Sequence, residues 1–143
     1  MKKILKIALL AFLVVGAVSR GYARIGITEV ASAQAAQDWG ATIRIETLAT
    51  NQIGVWLEFG LKGKLQTYSS VQLEIVSGGR KVVSATLAPS KQSPDKLAVY
   101  FLTDPAYLSA STLTVYYRIK RGYPPYDGVR FKIGDCIGHN TAH

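Results

Sequence analysis

The stretch Thr112–Ile133, "TLTVYYRIKRGYPPYDGVRFKI", alternates apolar and polar residues on either side of a loop rich in tyrosine and proline. Leu113, Val115, Tyr117 and Ile119 share one parity, and Thr114, Tyr116, Arg118 and Lys120 share the other. Past the loop, Val129, Phe131 and Ile133 alternate with Arg130 and Lys132. Successive side chains of a strand point to opposite faces, so a period of two reads as a strand with one buried side. The stretch is expected to be a hairpin of strands Thr112–Lys120 and Gly128–Ile133.

The same period runs back through the chain over Ala41–Leu48, Ile53–Phe59, Ser70–Val76, Lys81–Leu87 and Leu97–Thr103, all rich in Val, Ile, Thr, Tyr and Phe. Between these runs stand "ATNQ", "LKGK", "SGGRK", "PSKQSPD" and "DPAYLSAS", whose Gly, Pro, Asn, Asp and Ser residues favour turns. About seven strands at this spacing predict an all-β fold, an antiparallel two-sheet sandwich. An immunoglobulin-like arrangement is the simplest, although the chain has no cysteine pair for the bridge that marks antibody domains. The expected core is Ile43, Ile45, Val55, Leu57, Phe59, Leu97, Val99 and Phe101, with the apolar parity of the final hairpin. In "EIVSGGRKVVSATL" a loop with an odd residue count is expected, because it keeps Leu73 and Ile75 on the same face as Val83, Ala85 and Leu87.

Residues 1–23 read as a secretory signal peptide: Lys2, Lys3 and Lys6 precede an apolar run of 12 residues, Ile7–Val18, closed by Ser19 and Arg20. That run is shorter than the roughly 20 apolar residues a membrane-crossing helix needs, so cleavage is expected rather than anchoring. Ala23 is the favoured cleavage position, with "ASAQA" at Ala31–Ala35 as the alternative. No transmembrane segment is expected in the mature chain, and the location is secreted or periplasmic. Residues 24–40 are expected to be an extension or linker, 41–134 the sandwich, and 135–143 a tail.

Removing residues 1–23 takes away four cations and no carboxylate, lowering the formal charge from +8 to +4. Five of the remaining cations, Arg118, Lys120, Arg121, Arg130 and Lys132, crowd the final hairpin, opposed there by Asp127 alone. Residues of one parity converge on one side of a sheet, so Tyr116, Arg118, Lys120, Arg130 and Lys132 are expected to form a basic face. Tyr123 and Tyr126 flank two prolines that stiffen the loop and lower the entropy lost on binding. These seven residues are the candidate ligand-binding site, for a protein, an anionic polymer or an anionic surface. Nucleic acid is disfavoured by export and by the small net charge. A second aromatic surface is expected where Trp56 and Tyr100 share the polar parity of neighbouring strands.

Catalytic patterns are absent: there is no G-x-S-x-G elbow, no phosphate-cradling glycine loop and no dinucleotide fingerprint, and the carboxylates are dispersed. A non-enzyme without cofactors is expected. Cys136, His139 and His143 supply ligand types that zinc accepts, and a metal-binding tail is one alternative. A structural subunit of an envelope assembly is another.

Overall fold

The structure, a computed structural model, describes the backbone of residues 26–120 and 123–137 and the side chains of 26–119 and 126–137. The expected signal peptide, residues 1–23, lies outside the described residues. The described residues form a mostly β fold of two sheets. Strands β1 (Ile27–Val30), β9 (Tyr123–Lys132), β8 (Ser111–Lys120), β4 (Tyr68–Ser77) and β5 (Arg80–Leu87) lie side by side in that order. The second sheet is ordered β2 (Ala41–Ala49), β3 (Gln52–Gly60), β7 (Lys96–Thr103) and β6 (Ser90–Ser93). All pairings are antiparallel except that of β1 with β9. No described helix is long and apolar enough to cross a membrane.

All seven expected strands are present, because each carries an apolar face that only the facing sheet can cover. Val55, Leu57 and Phe59 of β3 meet Leu97, Val99 and Phe101 of β7 in register, and Leu113 and Val115 of β8 meet Phe131 and Val129 of β9. These residues are buried, together with Ile43, Tyr117 and Ile133. At about 25 cal/mol for each Å² of apolar surface removed from water, burial of this kind is the main force holding two sheets together. Ile45 is half-buried against the core. Ile119 departs from the expectation and is 53% exposed. The pairing of β4 with β8 stops at Tyr117, so β8 and β9 run on as a two-stranded ribbon with no neighbouring strand beneath Ile119.

The β4–β5 hairpin keeps the expected face by a different device. Leu73 pairs with Ala85 and Ile75 with Val83, as an odd loop would have it. The turn itself has two residues, Gly78 and Gly79, both at positive φ (58° and 73°), and Ser77 pairs with Arg80 across it. The extra residue is a bulge one step inside the strand, where the register shifts between Ile75 and Val76 and Val82 is left exposed.

Two strands had no periodic signal. β6 has the sequence "SKQS" and is an edge strand with no apolar residue, while β1 is four residues long with Val30 alone buried. β1 also changes the role of residues 24–40, expected to be an extension or linker. Val30 pairs with Phe131, and the chain then forms helix α1 (Ala33–Asp38), capped by Ser32 Oγ accepting from Ala35 N at 3.1 Å. Gly40 ends this turn at φ 69°, its N–H donating to the Gln37 carbonyl at 2.8 Å, and Ala36 is buried in the core. At the other end of the chain a short helix α2 (Ile133–Cys136) buries Ile133 and Cys136, and Ile137 bridges to Ile43.

Candidate functional site

The basic face is built from positions that the β8–β9 register brings together. Arg130 faces Thr114, Lys132 faces Thr112, and Arg118 faces Tyr126. Tyr116 lies over Gly128, where an added Cβ would meet its ring at 3.3 Å, and its hydroxyl donates to Gln72 Oε1 at 3.4 Å. Thus Tyr116, Arg118, Tyr126, Arg130 and Lys132 occupy one side of the sheet, as the parity requires.

The charge on that side is not free over its whole length. β1 places Glu29 beside Arg130, and its carboxylate receives Arg130 Nη1 at 3.7 Å and Lys132 Nζ at 3.2 Å. Arg130 Nε also donates to Thr114 Oγ1 at 3.4 Å. Glu74, on the next strand, pairs with Lys81. Exposed pairs of this kind contribute about 0–1 kcal/mol each to stability, but they cancel local field. The neutralising residue lies about a hundred positions away in the chain and on a strand without a sequence signal.

Toward the hairpin end the situation differs. Arg118 is exposed, its Cζ stands 5.7 Å from the Tyr126 ring centroid, and no carboxylate among the described residues lies within 4.0 Å of it. A guanidinium held over an aromatic face keeps its charge available while its apolar plane is covered. The Arg118 carbonyl accepts from Thr67 Oγ1 at 2.6 Å, which ties the ribbon's base to the turn after β3. The expected tyrosine loop is shorter than its composition implied: β9 begins at Tyr123, paired with Lys120, and Tyr126 stands on the strand. The side chains of Lys120 and Tyr123 lie outside those described.

Cys136 is buried, and its thiol donates to the Val30 carbonyl at 3.2 Å. Burial pushes its pKa up, with the nearby Asp135 carboxylate adding to the rise. The thiol therefore packs inside the fold against β1, while Asp135 points to solvent. His139 and His143 lie outside the described residues, and no cluster of three metal-ligating side chains occurs among the described residues.

Trp56 and Tyr100 do meet on the outer side of the second sheet. They are register partners with ring centroids 4.4 Å apart, and the Tyr100 ring occupies the space above Gly54, where an added Cβ would come within 2.6 Å of the tyrosine oxygen. Arg44 covers Trp56 at 5.5 Å and pairs with Glu58 at 3.0 Å. The tryptophan face is thus already partnered. No family model, curated protein or solved structure matches the chain.

Proposed function

We propose that the protein is an exported, non-catalytic binding module of immunoglobulin-like type, which contacts an anionic polymer or an acidic protein surface through the end of the β8–β9 hairpin. Export rests on the charged and apolar layout of residues 1–23. The immunoglobulin-like reading is supported by strand order: β2-β3-β7-β6 follows the A-B-E-D order of that architecture, and β9-β8-β4-β5 extends its C-F-G sheet by one strand. The observation that carries the binding reading is the ribbon that outruns its sheet, with Ile119 exposed and Arg118 poised over Tyr126.

Retention on a sulfated polysaccharide matrix tests this. Replacing Arg118 and Lys120 with Gln should lower the eluting salt concentration clearly, because interactions of exposed charges are salt-screened. The same exchange at Arg130 and Lys132 should lower it less, since both already engage Glu29. Equal shifts for the two pairs would remove the distinction on which the reading stands. Replacing Tyr123 and Tyr126 with Ser should weaken retention at an unchanged melting temperature. A large fall in that temperature instead would make the tyrosines part of the sandwich's packing.

A further inference from the structure

The pole of the sandwich that carries the hairpin end also holds a cleft of about 680 Å³, within the size range of small-ligand sites. It lies between the α1–β2 turn, the segment after β3 and the turn into β7. Trp39 forms one side, half-buried and packed on Tyr117 at 6.0 Å between centroids, so its ring is held in place by the core. Lys64 Nζ stands 5.3 Å from the Trp39 ring centroid, and Lys96 lines the same cleft. No carboxylate among the described residues lies within 4.0 Å of either lysine.

The remaining lining narrows the class of ligand. Asp95, held below the usual carboxylate range by a hydrogen bond from Ser93 and by Lys62 at 3.4 Å, and Asp38, which accepts from Gln34 at 3.2 Å, both face the cleft. These carboxylates repel a dianion more strongly than a monoanion, yet they accept hydrogen bonds from hydroxyl groups. Gly40, Gly60 and Gly63 bring no side chains, which leaves room for a ring beside the backbone. A fixed indole, two unpaired ammonium groups and hydroxyl acceptors together fit a hydroxylated ring bearing a single carboxylate.

We propose that this cleft binds an acidic sugar of the hexuronic acid class, with the ring on the side-chain-free backbone of Gly40, Gly60 and Gly63 beside the Trp39–Lys64 pair and its carboxylate drawn to Lys64 and Lys96. The site uses none of the residues assigned to the hairpin and stands independently of that reading.

Trp39 and Trp56 are the two tryptophans of the chain, so a Trp56→Phe variant leaves Trp39 as sole indole reporter. Its emission should change saturably on titration with galacturonic acid and respond at least tenfold more weakly to neutral galactose. Lys64→Gln and Lys96→Gln together should weaken the acidic ligand by roughly tenfold or more, as expected for loss of charge-assisted hydrogen bonds, at an unchanged melting temperature. Arg118→Gln should leave this titration untouched. No saturable response, an equal response in the double lysine variant, or the same change with inorganic phosphate alone would overturn the proposal. Should Trp56→Phe melt early, Trp56→Tyr carries the same test.

Discussion

The base and the end of the β8–β9 hairpin have the same alternating sequence and opposite physical character. At the base, Leu113, Val115, Val129 and Phe131 are fully buried, and the outward Arg130 and Lys132 are matched by Glu29. At the end, the last residue of the apolar parity on β8, Ile119, is exposed, and Arg118 rests on a tyrosine with no carboxylate among the described residues within 4.0 Å. The difference comes from neighbours: β4 flanks β8 as far as Tyr117, and β1 flanks β9 from Gly128 onward. Parity tells which way a side chain points, while the adjoining strands decide what it meets there.

The largest expected effect sharpens this contrast directly. Phe131→Ala should cost about 3–5 kcal/mol in urea-induced unfolding, the usual range for emptying an aromatic core site. Ile119→Ser, on the same parity of the same hairpin, should stay within about 0.5 kcal/mol, as surface exchanges do. A comparable loss at both positions would mean that the end is packed against something and would break the comparison.

A second, smaller effect concerns groups that the core keeps neutral. Burial raises the pKa of Cys136 and of Tyr117, the latter with a further push from Asp127. For an acid whose native pKa lies above its unfolded value, the associated stability is fully present below the unfolded pKa. It is lost as pH rises through the native one. Unfolding measured against pH should therefore show stability falling above about 8.5, where an unfolded thiol ionises, and falling further above about 10 as unfolded tyrosine does. Cys136→Ala should remove the first part of that fall. In the native chain at neutral pH the thiol should react with a maleimide roughly a hundredfold more slowly than after unfolding, since access requires opening of the structure.

The smallest effect on stability should be the most telling for charge. Glu29→Gln should change the unfolding free energy by about 1 kcal/mol or less. It should nonetheless raise the salt needed to elute the protein from a sulfated matrix, because Arg130 and Lys132 lose their counter-ion. An unchanged elution would mean that the base of the hairpin is as available as its end.

Much of the fold was legible because its core strands obey a strict period of two. Apart from Ile119, the inward residues of β3, β7, β8 and β9 could be named from parity alone, and in β5 Val83, Ala85 and Leu87 face inward as expected although the route to that register is a bulge at Val82. What escaped were the elements whose order comes from neighbours. "ITEV" and "SKQS" have no alternation to detect, and they become strands because β9 and β7 offer them free edges. The candidate basic face was legible to the same extent. Tyr116, Arg118, Tyr126, Arg130 and Lys132 share a face, but Glu29 is invisible to any local reading, and the cleft beside Trp39 gathers residues from three turns that are far apart in sequence.

The parallel pairing of β1 with β9 has a mechanical consequence. Ile27 to Val30 lie alongside Gly128 to Phe131, and Gly26 closes the start of this ladder by accepting from Gly128 N at 2.9 Å. Tension entering at Gly26 and leaving past Lys132 pulls these two strands in opposite directions along their length. Their hydrogen bonds are then loaded together in shear instead of opening one at a time like a zipper. Forced unfolding follows the rate at which such a barrier is crossed. The sandwich should therefore resist extension from its ends more strongly than its equilibrium stability alone would indicate, with four short residues at the edge of a sheet acting as its clamp.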